Sequence, residues 1–188
     1  MEQKTLIKLV VGSEAIFFLA LLMAFVYFTY VPVLNPRVAS SLDLNRTSLF
    51  TVMLLSSSVT FWRAEVSFRR GRTKQLRLWL LCTVVLGVVF LVGQGSEYSS
   101  LLSRQLTVSK GTFTTSFFTL TGFHGLHVLI GIVVLSIVLY LTFLGDLDDP
   151  DSALLPSVGI YWHFVDVVWA VVFVIVYVLP HFLTGHTP

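Results

Sequence analysis

The chain has 188 residues, of which 55% are hydrophobic and 12% are charged, and its formal net charge at neutral pH is +2. The charged fraction is about half of the roughly 25% usual in soluble globular domains, so the composition excludes a soluble domain and indicates an integral membrane protein. The small net charge, without interleaved basic and aromatic residues, argues against a nucleic-acid partner. Because Cys82 is the only cysteine, the chain holds no intrachain disulfide and no thiolate metal cluster.

Five apolar segments are candidates for membrane spans, since about 20 apolar residues in a helix cross roughly 30 Å of hydrocarbon. They cover, approximately, residues 6–31, 48–62, 78–98, 113–144 and 157–182. A single span must pair its own backbone groups in lipid, and these runs are too long and continuous for barrel strands. The sequence therefore predicts an all-α fold: one polytopic bundle of five transmembrane helices over residues 1–188.

Basic residues predict how this bundle is oriented in the membrane. Between the second and third spans lie Arg63, Arg69, Arg70, Arg72, Lys74 and Arg77. By the positive-inside rule this loop is cytoplasmic, which places the N-terminus inside and the C-terminus outside. Arg69, Arg70, Arg72 and Lys74 are also candidates for binding anionic lipid headgroups. The first apolar run is too long for the hydrophobic region of a cleavable signal peptide, so we expect it to be a span.

Ionisable side chains within the first and fourth spans are costly at membrane depth, which makes each one a functional hypothesis. Glu14 is either a protonated structural residue bonded to another helix or a carboxyl that exchanges protons or contacts lipid. His124 and His127 lie one turn apart on the fourth span. Imidazole binds metals, but no third ligand and no His-Glu-x-x-His motif accompanies them, so we expect hydrogen bonds between helices and no metal site. Similar depth predicts a contact between Glu14 and His127.

Two further polar groups belong to the fifth and third spans. His163 and Asp166 are one turn apart, which favours a buried carboxylate–imidazole pair that ties helices together; a patch that gathers protons near the cytoplasmic surface is the alternative. Gln94, Glu97 and Tyr98 close the outer end of the third span. We expect these three to bond the outer loop or a neighbouring subunit.

Four stretches, in order along nearly the whole chain, resemble subunit III of the haem–copper terminal oxidases. They are Ser13-Glu-Ala-Ile-Phe-Phe18, Gln94-Gly-Ser-Glu-Tyr98, Thr121-Gly-Phe-His-Gly-Leu-His-Val-Leu-Ile-Gly131 and Tyr161-Trp-His-Phe-Val-Asp-Val-Val-Trp169. The resemblance implies a non-catalytic helical subunit that packs on catalytic subunit I, supports proton uptake and protects the active site during oxygen reduction. It carries no redox centre, since haem and copper belong to the partner subunits, but it can hold phospholipid.

The same resemblance implies the setting of the chain. The complex would be a proton-pumping cytochrome c oxidase of aerobic respiration in the bacterial cytoplasmic membrane, with subunits I and II as partners and a larger respiratory supercomplex as a further one. Longer family members have two extra helices before the Ser-Glu motif, so the chain resembles the short five-helix bacterial form. The lipid cleft beside those helices is then expected to be absent or supplied by another chain.

One departure from the family pattern leaves the electron donor undecided, and two alternative functions remain. The chain has Trp62-Arg-Ala-Glu-Val66 where many cytochrome c oxidase members have Trp-Ala-His-His. This departure leaves open whether cytochrome c or quinol is the electron donor. A short accessory subunit of a nitric oxide reductase would share the five-helix pattern. A stand-alone proton channel or transporter would explain the buried polar residues, although the sequence has no broken helix pair or inverted repeat of the kind transporters use.

Overall fold

In the computed structural model, the described residues are 2–30, 44–103, 112–145 and 152–180, and nearly all of them are helical. The helices are α1 (Glu2–Tyr30), α2 (Leu44–Arg69), α3 (Thr73–Ser103), α4 (Thr112–Leu144) and α5 (Leu154–Phe173), which continues as a wider π-helical turn over Val174–Val178. The all-α prediction is confirmed for these residues. Residues 31, 181 and 182, at the ends of two predicted spans, lie outside them.

Four of the five helices are long and apolar enough to cross a membrane. They cover Thr5–Thr29, Thr73–Ser103, Thr112–Leu144 and Leu154–Val178. α2 has the necessary length, 26 residues, but it carries too many polar and charged residues to satisfy the same measure of composition. The prediction of membrane-spanning helices is therefore confirmed for four of the five segments, and the predicted orientation stays a prediction.

Helix α2 has an unusual distribution of polarity. Half of its buried residues carry hydroxyl groups: Thr47, Thr51, Ser57 and Ser67. Its outer face is apolar and exposed at Leu49, Val52, Leu55, Val59 and Trp62. Between its charged ends, α2 thus directs hydroxyl groups toward the bundle and apolar side chains away from it, while Asn45, Arg46, Arg63 and Arg69 are exposed.

The packing order places α5 between three other helices. It contacts α1, α2 and α4, while α3 contacts α2 and α4, and α1 also contacts α4. α2 and α3 form a hairpin whose tight turn contains Gly71 at a φ of 65°, a conformation that glycine adopts at little steric cost. The backbone N–H groups of Gly71 and Arg72 donate to the carbonyls of Phe68 and Ser67 and close the end of α2.

Large aromatic rings fill the space between the helices, and glycines let the helices approach them. Trp162 of α5 is fully buried. A Cβ atom built on Gly131 of α4 would lie 2.7 Å from the Trp162 ring, and one on Gly87 of α3 would lie 3.0 Å from it. The indole therefore lies directly against the backbone of two neighbouring helices, an arrangement that small residues permit in membrane bundles.

Candidate functional site

Glu14 of α1 and His127 of α4 form a direct contact between helices. Glu14 Oε2 lies 3.0 Å from His127 Nε2, and the predicted contact between these residues is therefore present. His127 Nδ1 lies 2.7 Å from the backbone carbonyl oxygen of Phe123, which requires that Nδ1 carry a proton. The remaining nitrogen then either accepts a proton from a neutral Glu14 or donates one to the carboxylate.

Aromatic side chains surround this Glu14–His127 pair. The ring of Phe18 lies 4.9 Å from the imidazole of His127, centre to centre. The Tyr161 hydroxyl of α5 donates to the His127 carbonyl oxygen at 3.1 Å. The His127 side chain is 12% exposed and that of Glu14 is 32% exposed. Three helices thus converge on a polar pair that is partly screened from the surroundings.

His124 lies in a different environment from His127. It is fully buried, and neither of its ring nitrogens has a hydrogen-bond partner among the described residues. The imidazole stacks on the Trp169 ring with centres 4.7 Å apart and meets the edge of Phe90. The hydrogen bond between helices predicted for His124 is therefore not found in the described part of the chain. The reason is that its side of α4 faces an aromatic core that offers ring faces instead of acceptors.

Asp166 and His163 of α5 are joined through a hydroxyl of α2 rather than directly. Ser58 Oγ lies 2.9 Å from His163 Nδ1 and makes a short hydrogen bond to Asp166 Oδ2. Ser57 Oγ lies 3.5 Å from the same carboxylate oxygen and accepts a bond from Trp162 Nε1 at 3.0 Å. The predicted direct pair is thus replaced by an Asp166 cluster of Ser57, Ser58, His163 and Asp166, because both α5 side chains point toward α2.

The Oδ1 atom of Asp166 differs from the other buried polar atoms of this cluster in its lack of a described partner. Asp166 is 2% exposed, and its Oδ1 atom has no hydrogen-bond partner among the described residues. A carboxylate oxygen in this state is unfavourable unless something outside these contacts satisfies it. His163, which reaches this cluster through Ser58, is half-buried.

Polar residues toward the C-terminal end of α3 bond neighbouring helices. Gln94 Nε2 donates to the Thr121 carbonyl oxygen at 2.6 Å, and the Tyr98 hydroxyl lies 2.6 Å from Thr121 Oγ1. Glu97 Oε2 accepts a bond from Tyr177 at 2.9 Å. The predicted bonds to the outer loop or a neighbouring subunit stay a prediction, because residues 104–111 lie outside the described ones. α3 continues to Ser103, so the three residues lie within the helix rather than at its end.

Sequence reasoning missed several partners on α2. Thr51 Oγ1 accepts a hydrogen bond from Trp169 Nε1 at 3.0 Å, and Thr47 Oγ1 lies 3.3 Å from Glu97 Oε1. Glu65 packs so closely on α5 that a Cβ atom on Gly159 would lie 2.7 Å from its Oε1 atom. The available signal was the helical spacing of Thr47, Thr51 and Ser58, which places the three hydroxyls on one face of α2.

The predicted lipid-binding residues lie at the turn between α2 and α3. Arg69, Arg70, Arg72 and Lys74 are all exposed. Arg72 and Lys74 also line an open groove of about 630 Å³, together with Arg77, Phe143 and Leu144. The guanidinium of Arg77 is fixed by a hydrogen bond to the Thr142 carbonyl oxygen and lies over the Phe143 ring. Arg69 and Arg70 lie outside this groove.

The described residues contain no group of three or more His, Cys, Asp or Glu side chains that could hold a metal ion. Both nitrogens of His127 already face hydrogen-bond partners, and those of His124 face aromatic rings. The polar groups of this part of the chain form hydrogen bonds that hold helices together.

A family model described as cytochrome c oxidase subunit III matches residues 3–180. The chain belongs to this family. It is 36% identical over 139 residues to cytochrome c oxidase subunit 3 of Corynebacterium diphtheriae, covering 74% of this chain and 68% of the relative. It is 32% identical over 169 residues to the protein of the same name from Synechocystis, covering 89% and 71%. For that of Neurospora crassa, the identity is 36% over 182 residues, covering 91% and 65%.

The resemblance to subunit III read from the four sequence stretches is thus confirmed. As a member of the family, this subunit III is a non-catalytic, multi-pass membrane component of a terminal oxidase complex. It spans about two thirds of the length of the relatives compared. How its buried polar groups serve the complex is a separate question.

Proposed function

We propose that this subunit III packs on catalytic subunit I of a proton-pumping haem–copper oxidase, which also contains subunit II, and that it supports proton uptake and protects the active site during turnover. Haem and copper in the partner subunits would supply the reduction of dioxygen. The names of the relatives favour cytochrome c as the electron donor, and a bacterial cytoplasmic membrane is the expected location. The same membrane could hold a larger respiratory supercomplex that includes the enzyme.

The proposal includes α2 as a fifth membrane span. Its hydroxyl groups face the bundle, and Leu49, Val52 and Val59 are each more than half exposed on the opposite face. A helix of a soluble protein would have the reverse distribution. In a bilayer the exposed apolar face contacts lipid tails, and the buried hydroxyls find partners between helices. The basic turn after α2 then lies in the cytoplasm.

The observation that carries the proposed function is the Glu14–His127 pair. Of the four apolar spans, α1 has the smallest share of buried residues, so few contacts fix its position. The bond between Glu14 and His127 ties α1 to α4 at a place where an unpaired carboxyl would be unfavourable. Because carboxyl and imidazole groups can both carry a proton, the same bond can either brace the helix or pass a proton toward the uptake pathway of subunit I.

Two variants of Glu14 separate these possibilities. Glu14→Ala removes both the bond and the titratable group, while Glu14→Gln keeps a side chain of similar size that can still bond to His127. We expect Glu14→Ala to assemble but to lose activity after fewer turnovers than the wild-type oxidase. If Glu14→Gln restores the catalytic lifetime, the pair acts as a brace; if it behaves like Glu14→Ala, the proton is required. An unchanged progress curve and pumping ratio in Glu14→Ala would contradict the proposal.

Co-purification is the direct test of the assignment to an oxidase. The chain, isolated in mild detergent, should bring with it subunits whose visible spectrum is that of a haem–copper oxidase. A spectrum typical of a nitric oxide reductase would assign the chain to that enzyme instead. A haem-free monomer that carries protons across liposome membranes would favour a stand-alone channel.

Phospholipid is the second proposed partner. Arg72, Lys74 and Arg77 place three positive charges around a groove whose wall includes the exposed apolar side chains of Phe143 and Leu144. A phosphate group would meet the cations while the upper acyl chain contacts the apolar wall. Arg69 and Arg70 would contribute to the attraction of anionic lipids only through their charge, since they do not line the groove.

A further inference from the structure

The Asp166 cluster joins a carboxyl group to an imidazole ring through one hydroxyl group. Ser58 Oγ of α2 makes a short hydrogen bond to Asp166 Oδ2 and lies 2.9 Å from His163 Nδ1, both on α5. A serine hydroxyl has one hydrogen to donate and two lone pairs that can accept. Ser58 can therefore donate to one of these partners while it accepts a hydrogen bond from the other, and two arrangements of the hydrogens fit the same contacts.

The two arrangements contain the same number of protons. In the first, Asp166 is a carboxylate that accepts from Ser58, and His163 is an imidazolium whose Nδ1–H donates to Ser58. In the second, Asp166 is a carboxylic acid whose Oδ2–H donates to Ser58, and Ser58 donates to Nδ1 of a neutral His163. The second arrangement thus places no charge on either side chain.

The surroundings of Asp166 favour the second, uncharged arrangement. Asp166 is 2% exposed, and its Oδ1 atom has no hydrogen-bond partner among the described residues. In a carboxylate this oxygen would carry part of a negative charge without a donor, which is costly in apolar surroundings. In the acid it is a neutral carbonyl oxygen, while Oδ2 holds the hydrogen that Ser58 accepts. Protonation of Asp166 therefore accounts for the unpaired oxygen without any donor from outside the chain.

The helices packed on α5 bring other ionisable side chains near it, and these make their contacts elsewhere. Glu65 of α2 packs on α5 one helical turn before His163. His124 of α4 stacks on an indole ring of α5, and Glu14 of α1 bonds His127. Within the described part of the chain, the protonation of the cluster is thus determined by its own members.

We propose that the Asp166 cluster is a proton-binding site, in which Asp166 stores one proton and Ser58 passes it to and from His163. His163 exchanges this proton with water, because it is half-buried and lines the outer surface between α2 and α5. The inference deepens the proposed function and rests on it, since it adds a second protonatable site to a subunit that supports proton uptake.

Release of the stored proton can be written atom by atom. The Oδ2–H proton of Asp166 moves to Ser58 Oγ as the hydroxyl proton of Ser58 moves to His163 Nδ1. The imidazolium then loses its Nε2–H proton to water. A carboxylate bonded to the Ser58 hydroxyl and a neutral His163 bonded through Nδ1–H remain, and uptake of a proton follows the reverse order.

Infrared spectroscopy of the intact purified oxidase tests whether Asp166 holds a proton. A protonated carboxyl group has a carbonyl stretching band that a carboxylate lacks. At neutral pH, the spectrum of the wild-type oxidase minus that of Asp166→Asn should contain one such band, with both samples matched in subunit III and haem. No such band in the difference spectrum would show that Asp166 is ionised and would overturn the inference.

Ser58→Ala tests the passage of the proton and keeps the carboxyl group itself. The Asp166 band should remain but change its frequency, because the carboxyl group loses its hydrogen-bond partner. After transfer to D2O, its shift to the deuterated frequency should be several-fold slower than in the wild-type oxidase. Ser56→Ala is the matched control, since Ser56 is exposed and bonds only a backbone carbonyl of its own helix. Equal exchange rates in the two serine variants would overturn the inference.

The infrared result can be separated from the proposed function. If the oxidase purifies with this chain and the Asp166 band is absent, only the proton-binding site is wrong. If the chain never purifies with a haem-containing partner, the proposed function fails, and the same spectra of the chain in detergent still decide whether Asp166 is protonated.

Discussion

Two acidic side chains of the apolar helices, the partly exposed Glu14 and the buried Asp166, differ in their hydrogen-bond partners. Glu14 has one partner, His127, whose second nitrogen already faces a backbone carbonyl oxygen. Asp166 has two serine partners and a histidine beyond one of them, yet its Oδ1 atom has no partner among the described residues. Glu14 is 32% exposed and bonds one histidine, whereas Asp166 is buried and is held by two serines of a neighbouring helix.

This difference separates two uses of a polar group in lipid. A polar pair that satisfies itself stabilises contacts between helices of one chain. A buried cluster depends on each of its members, because removing one leaves the others without a partner. The comparison therefore predicts that changes at Glu14 alter the performance of an assembled oxidase, while changes at Asp166 weaken the contact between α2 and α5 and lower the amount of subunit III that folds and assembles.

The largest effect is expected for Asp166→Leu. Without the carboxylate, Ser57 and Ser58 lose the acceptor that they share, and His163 keeps only its contact with Ser58. A buried hydroxyl group without its acceptor costs about 1–3 kcal/mol, which should lower the amount of subunit III that folds and stays in the complex. The ratio of subunit III to haem in the purified oxidase measures this. Asp166→Asn, which keeps an acceptor oxygen, is the control, and equal ratios for the two variants would remove the distinction between Asp166 and Glu14.

A smaller effect is expected for Glu14→Ala, because assembly does not depend on this residue. The subunit ratio should stay at the wild-type value, and the number of turnovers before inactivation should fall several-fold. Oxygen consumption recorded over many turnovers measures the change. A loss of subunit III as large as that in Asp166→Leu would show that the two acidic residues play the same role.

Thr51→Val tests the hydrogen bond between Trp169 of α5 and Thr51 of α2. The change leaves the indole N–H of Trp169 buried without its acceptor, which should lower the free energy of unfolding by about 1–3 kcal/mol. Ser56→Ala is a matched control, since Ser56 is exposed and bonds only a backbone carbonyl of its own helix. Thermal unfolding of the purified complex should distinguish them. Identical unfolding temperatures would mean that the buried hydroxyls of α2 contribute little.

The smallest effect is expected at the exposed basic groove, where no polar group is buried. Lys74→Ala removes one charge and should weaken the binding of anionic lipid by about 1 kcal/mol. Assembly of the oxidase should be unchanged. Arg70→Ala removes an equal charge outside the groove. Native mass spectrometry of the oxidase with anionic phospholipid would compare them. Equal losses from both variants would assign the binding to the charge of the whole turn rather than to the groove.

Much of the fold follows from the sequence because lipid restricts the backbone. Long apolar runs predicted the helices and four spans, since no other secondary structure satisfies a single segment in a membrane. α2 was harder, because its polar and charged residues lower the mean hydropathy, and only the structure reveals that four of its hydroxyl residues are buried in the bundle. The predicted second span, 48–62, is accordingly much shorter than the helix Leu44–Arg69.

The sequence predicted the one contact of the candidate site that follows from the depth of two residues in the membrane. Glu14 and His127 belong to different helices but lie at matching depth, and their contact is present. Helical periodicity states which residues share a face of one helix, but not what the neighbouring helix places against that face. For this reason the position of Ser58 between His163 and Asp166, and the aromatic core around His124, could not be derived from spacing.

The inward hydroxyls of α2 also bear on how the protein enters its membrane. During biosynthesis, a segment is admitted to the bilayer according to its own hydrophobicity, and by that standard α2 is the weakest of the five helices. The tight turn at Gly71 joins it to α3, whose apolar composition is sufficient for insertion. α2 is therefore expected to insert together with α3 as a preformed hairpin, so that its threonines and serines acquire partners before they meet hydrocarbon.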